Sequence, residues 1–340
     1  MSHYINTMRK FLLVVCGLVL SSLALAQGSL EKISVHSPSL EGNLNGDSAD
    51  RDVYVYLPEG YADSSERYAV VYFLHGYGVG AEIYVNGVLQ LPGSVDESMG
   101  AGAQEFILVM PDAFNKYSGS MYSNSPAVGD WESWIAEDLV SYIDSHYRTL
   151  AQRESRGLAG HSMGGYGTLR IGMKAPDVFG ALYAMSSCCL LNDAPSKERV
   201  EAELARIEEG IEGYKMGSFD NAMLAQASAW APNPDNPPYY LDLPYKNGEE
   251  QPLVARKWIA NSPLVFVDQY VPALQQYRGI FLDVGDEDGL EATNTQLDAA
   301  LTRLGVAHGY EIYQGDHGNR VGQRLIDNVL PFFADHLVTE

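Results

Sequence analysis

Short apolar runs separated by stretches of helical periodicity set the rhythm of this chain. Asp52–Leu57 alternates, with Val53, Val55 and Leu57 on one side, and stops at Pro58, which predicts an early strand. The runs Ala69–Leu74, Phe106–Met110, Gly157–Ala159, Gly180–Met185, Ile280–Val284 and Tyr310–Tyr313 predict later strands. Several are apolar throughout, as strands covered on both faces of a parallel sheet must be. Between them Trp131, Trp134, Ile135, Leu139, Tyr142 and Ile143 recur at helical spacing. Thr293 is placed to cap a helix that carries Leu297, Leu301 and Leu304 inward and stops at Gly305. Strand–helix alternation of this kind predicts an α/β fold built on a mostly parallel, doubly wound sheet.

Two stretches depart from the rhythm. From about residue 190 to 277 no strand is predicted. A charged helix over Ser196–Glu209 keeps Val200, Leu204 and Ile207 on one face, and the proline-rich run 231–238 leads into Tyr239 and Tyr240. So long a span between two strands reads as a lid-like insertion in one domain, a cap over the active-site face. The other departure is residues 1–26. Arg9 and Lys10 precede the apolar run Phe11–Leu25, and Ala24-Leu25-Ala26 offers the small residues of a cleavage site. This predicts a signal peptide, leaving residues 27–340 as a single exported domain, periplasmic or extracellular. No stable membrane insertion is expected after cleavage, because the run is short for a bilayer span.

Charge and cysteine content narrow the partners. Lys and Arg total 22 against 44 Asp and Glu, a net charge of −22, and the signal segment removes two basic residues but no acidic one. Such a surface repels phosphate backbones, so no nucleic acid is expected as a partner. Three cysteines exclude a disulfide scaffold and any four-cysteine metal site. Cys16 lies in the signal segment, and the adjacent Cys188 and Cys189 read as two small buried hydrophobes. With no Walker loop, zinc-protease helix or dinucleotide glycine fingerprint, neither a cofactor nor a metal is expected.

The chemistry centres on Gly160-His161-Ser162-Met163-Gly164. A serine raised on a tight strand-to-helix turn needs flanking glycines, since side chains there would strike neighbouring backbone. A strand before it and a helix over Gly165–Lys174 after it make Ser162 the candidate nucleophile. A serine needs a base, and the base an orienting acid, in the chain order Ser, acid, His for this elbow. Of the histidines, only His317 lies on the loop directly after the last predicted strand, His336 falling on the last helix, so His317 is the expected base. The preceding strand runs into Gly285-Asp286-Glu287-Asp288, where Asp288 is the preferred acid and Asp286 the second choice. Backbone N–H groups of Met163, and of Tyr77 in the turn Leu74-His75-Gly76-Tyr77-Gly78, are the candidate oxyanion hole. Tyr122, Trp131 and Trp230 are candidate substrate-pocket aromatics, the first two because the loop Ser118–Asp130 follows a strand.

Taken together, the chain resembles the esterase D-like family of α/β-hydrolases. That family includes S-formylglutathione hydrolases, feruloyl and acetylxylan esterases, enterochelin esterases and mycolyltransferases. The matching stretches are Arg51–Tyr61, Val70–Gly76, Val109–Asp112, Ala159–Gly167, Pro176–Phe179, Gly285–Asp288 and Gly315–His317. The resemblance implies an α/β-hydrolase fold, a Ser162–His317–Asp288 triad and the Tyr77/Met163 oxyanion hole. Ala69 stands where relatives often carry proline, Gly318-Asn319 where many carry an aromatic residue, and the 190–277 insertion is long. The expected function is an exported serine carboxylesterase working through an acyl-enzyme. Feruloyl- or acetyl-type esters, on small molecules or polysaccharide, are the expected substrates. The alternative is an acyltransferase that moves the acyl group to a carbohydrate or other alcohol.

Overall fold

A computed structural model describes residues 28–99, 104–209, 219 and 221–340; the expected signal peptide lies outside these residues. Eight strands form one sheet: β1 Ser29–His36, β2 Asp50–Leu57, β3 Ala69–Leu74, β4 Phe106–Pro111, β5 Arg156–His161, β6 Ala181–Met185, β7 Gly279–Gly285 and β8 Gly309–Tyr313. Their order across the sheet is β1-β2-β4-β3-β5-β6-β7-β8. The first two pairings, β1 with β2 and β2 with β4, are antiparallel, and all those from β4 to β8 are parallel. The sheet separates two hydrophobic cores, and this is why its strands read as apolar runs. Val53, Val55, Val70, Tyr72 and Leu74 face one core, while Tyr54, Tyr56, Val71 and Phe73 face the other. Every residue of β3 and β4 is buried.

The sequence pattern missed β1. It is an edge strand with one buried residue, Val35, so little apolar alternation marks it. The predicted lengths were also short at β5, where Gly160 and His161 pair with Ala184 and Met185 of the neighbouring strand.

Helical run α1 covers 131–146 and contains a π-helical stretch, Trp134–Leu139. The next helices are α2 Met163–Lys174, α3 Lys197–Glu209, α4 Ala222–Trp230, α5 Pro252–Ala260 and α6 Glu291–Arg303. Thr293 does not cap α6. The helix starts two residues earlier, and the Thr293 hydroxyl donates to Leu290 O from within the first turn.

The insertion divides into two parts. Its later part is ordinary crossover structure packed on α2: Tyr166 Oη donates to Asn261 O at 2.9 Å, and Tyr277 Oη to Gly172 O at 2.7 Å. Its earlier part carries α3, α4 and a tight hairpin, Tyr245–Lys246 against Glu249–Glu250, turned by Asn247-Gly248 at positive φ. Asn-Gly is a strong hairpin signal, so the strand-free expectation overlooked a local cue. Among the described residues no helix is long and apolar enough to cross a membrane.

Candidate active site

Ser162 sits between β5 and α2 at φ 58°, ψ −113°, a backbone region that non-glycine residues rarely occupy. The neighbouring glycines make the turn feasible. A Cβ on Gly164 would lie 1.9 Å from Leu74 O, and one on Gly160 would lie 2.4 Å from Gly164 O. The turn is then pinned by its backbone. Ser162 N–H donates to Met185 O at 2.9 Å, and Ser162 O accepts from Tyr166 N–H at 3.0 Å and Cys188 N–H at 3.1 Å.

The loop after β8 brings His317 to this serine, with Nε2 at 2.9 Å from Ser162 Oγ. The loop after β7 brings Asp288, whose Oδ2 accepts from His317 Nδ1 at 2.8 Å. Asp288 Oδ1 accepts from Leu290 N–H at 2.9 Å. Burial alone would raise the Asp288 carboxyl. Hydrogen bonds from His317, the Leu290 amide and Ser186 outweigh burial and hold it below the ordinary aspartate value, so it is the ionised partner. Asp286, the second choice, is used elsewhere: its Oδ1 accepts from Gly315 N–H at 3.0 Å and ties the two loops together.

Sequence reasoning passed over a second layer. His161 Nε2 donates to the backbone carbonyl of His317 at 2.7 Å, and Tyr84 Oη donates to His161 Nδ1 at 2.6 Å. Burial, reinforced by the nearby His317, pushes His161 down to about 3, so it serves as a neutral donor and acceptor. The Tyr84 hydroxyl also abuts the candidate oxyanion turn. A Cβ on Gly76 would lie 2.6 Å from Tyr84 Oη and 3.4 Å from Ser162 Cβ. Asn294 of α6 was missed as well; its amide exchanges two hydrogen bonds with the Ser187 backbone, fixing the segment after β6. No motif in the sequence assigns a role to any of these three residues, His161 being only the variable position of the elbow, because their partners lie far away along the chain.

Met163 opens α2 directly after Ser162, and Tyr77 follows Gly76 on the turn that abuts the serine. Tyr77 Oη donates to Tyr117 O at 2.8 Å. The three expected pocket aromatics are a correction. Tyr122, Trp131 and Trp230 are at most 3% exposed and belong to the main core. Tyr122 Oη donates to His75 O, Trp131 Nε1 donates to Val128 O, and Trp230 packs edge-on against Trp258. Rings this large gain more from core burial than from a solvent-facing wall. Among the described residues, an aromatic that does stand open beside the site is Phe219 of the insertion, 70% exposed, with its ring centroid 5.6 Å from that of Tyr77.

A serine on a strand-to-helix elbow, a histidine and an aspartate on successive strand-end loops, and this sheet order define a serine esterase of the α/β-hydrolase class. The family model described as "Putative esterase" matches residues 48–329, and the chain belongs to that family. It is 39% identical to Esterase Rv1288 of Mycobacterium tuberculosis (strain ATCC 25618 / H37Rv) over 72 residues, which are 20% of this chain and 15% of that one. The match therefore spans only a small part of the curated relative's length. Among solved structures, a ferulic acid esterase aligns with a TM-score of 0.65 at 21% identity, over 92% of this chain and 99% of the other. S-formylglutathione hydrolase (FrmB) from Staphylococcus aureus aligns with a TM-score of 0.60 at 17% identity, over 90% and 99% respectively. At these identities the two structures speak for a shared fold.

Proposed function

We propose that this protein is an exported serine carboxylesterase that cleaves feruloyl- or acetyl-type esters through an acyl-enzyme. The observation that carries the reading is the unbroken hydrogen-bond chain from Ser162 Oγ through His317 to Asp288, at 2.9 and 2.8 Å. Asp288 holds His317 with Nδ1–H toward itself and Nε2 toward the serine. As Oγ attacks the acyl carbon, its proton passes to Nε2, and the tetrahedral oxyanion takes the Met163 and Tyr77 N–H groups. His317 then returns the proton to the departing alcohol, and water repeats the sequence to free the acid. Phe219 and the earlier part of the insertion act as the lid-like wall that selects the ester, and Phe219 and Tyr77 offer ring faces to an aryl acyl group.

Ser162→Ala should abolish p-nitrophenyl acetate hydrolysis while the circular dichroism spectrum stays native; full residual activity would overturn the mechanism. A panel of acetyl, feruloyl and polysaccharide-borne esters, with product analysis in the presence of carbohydrate acceptors, identifies the acyl group and separates hydrolysis from transfer. Export is tested by sequencing the amino terminus of the protein recovered outside the cytoplasm, which should begin at Gln27.

A further inference from the structure

The segment after β6 carries two adjacent cysteines directly against the nucleophile. Their sulfurs lie 2.9 Å apart, and both residues are free and only partly buried, so small reagents can reach them. The pair is held on all sides. Cys188 N–H donates to Ser162 O at 3.1 Å, Asn192 Nδ2 donates to Cys189 O at 2.8 Å, and Gln226 Nε2 lies 3.5 Å from Cys189 Sγ. Cys189 has φ 59°, the left-handed region that favours glycine. Two inert hydrophobes would need neither the polar neighbours nor the strained backbone.

We propose that Cys188 and Cys189 are a reversible oxidation site: exchange with a low-molecular-weight disulfide closes them into a vicinal disulfide, which slows turnover at Ser162. The effect on turnover rests on the esterase reading above; the modification itself does not. One cysteine thiolate attacks a sulfur of the small disulfide and expels the first small thiol. The other cysteine then attacks the mixed disulfide and expels the second. Two protein thiols are oxidised, one small disulfide is reduced to two thiols, and the two protons leave on those thiols. The hydrogen bond to Cys189, with burial, raises the Cys188 thiol above its ordinary value.

Reversibility follows from adjacency in the sequence. Neighbouring Cα atoms stand about 3.8 Å apart, short of the roughly 4.4–6.8 Å span of ordinary disulfides, so the closed ring is strained and readily reduced. Coupling to the site follows from the backbone. Bringing the sulfurs to about 2.05 Å requires the Cys188–Cys189 unit to turn, and its leading N–H is the one that anchors the Ser162 carbonyl.

The test compares the full chain after reduction by a phosphine with the same chain equilibrated in oxidised glutathione. Peptide mapping should show the segment bearing both cysteines lighter by two hydrogens and closed to alkylation, and dithiothreitol should reverse this. The oxidised protein should turn over p-nitrophenyl acetate with kcat lowered about fivefold or more and KM little changed, as expected when positioning rather than binding is lost. The double variant Cys188→Ser/Cys189→Ser should be indifferent to the oxidant. Cysteines that remain alkylatable, or a disulfide that leaves kcat unmoved, would overturn the proposal. So would a double variant that still loses activity in oxidant. If no redox state hydrolyses esters, the esterase reading falls, and the mass and alkylation results alone decide the modification.

Discussion

The Nε2–H of His161 donates to the backbone carbonyl of His317 at 2.7 Å, so the residue just before the nucleophile holds the loop that supplies the base. Tyr84 completes the arrangement from the other side at 2.6 Å and abuts Gly76. One buried pair thus braces the elbow, the base loop and the turn that carries Tyr77. His161→Ala should lower kcat about 10- to 100-fold, the effect of leaving one buried polar group unpaired, with little change in KM. His161→Gln, which keeps a donor, should recover part of the loss. A kcat equal to wild type in His161→Ala would show that the loop is held without this bond.

The two carboxylates of the Gly285–Asp288 turn have separate tasks, and substitution should separate them. Asp288→Asn should cost about 10⁴ in kcat, as loss of the orienting acid does in a triad. Asp286→Asn should cost far less, because its carboxylate meets a backbone amide that the Asn carbonyl can also serve. Steady-state kinetics on one p-nitrophenyl ester decides the matter; the reverse order would reassign the acid.

Glu132 is the half-buried anchor of α1, with Arg170 Nε at 2.6 Å and Lys174 Nζ at 2.8 Å. Burial alone would raise its carboxyl, but the two cations prevail and hold it below its ordinary value of 4.5. Burial and Arg170 also push Lys174 down from its ordinary value. A folded value below the unfolded one adds stability above the unfolded value, which is lost as pH falls through the folded value. Glu132→Gln should therefore destabilise by about 3 kcal/mol at neutral pH, since it strands a buried guanidinium. The gap to wild type should close below pH 4.5 in urea titrations.

Burial also decides what the core aromatics do. Trp131→Ala should cost about 3–5 kcal/mol of stability, as for other buried large-to-small changes, and leave KM near wild type. Phe219→Ala should show the opposite pattern, with stability held and KM for aryl esters raised. A KM effect at Trp131 without loss of stability would place its ring in the pocket after all.

Much of this protein was legible from residue order alone. The seven apolar runs, the glycines of the elbow and the turn chemistry at Gly285 are local signals, written into neighbouring residues. Ser162, His317 and Asp288 could be named because each follows a recognisable strand, and strand ends of a parallel sheet share one edge. What local order could not carry was decided by contacts across the chain. The edge strand Ser29–His36 buries one residue and exists through its partner β2. Tyr122, Trp131 and Trp230 carry no mark in the sequence that separates a pocket wall from a core, and only packing against distant elements assigned them to the core. The same holds for His161, which reads as a filler between glycine and serine. Its role depends on a carbonyl 156 residues away, and only the folded sheet brings the two within hydrogen-bonding distance.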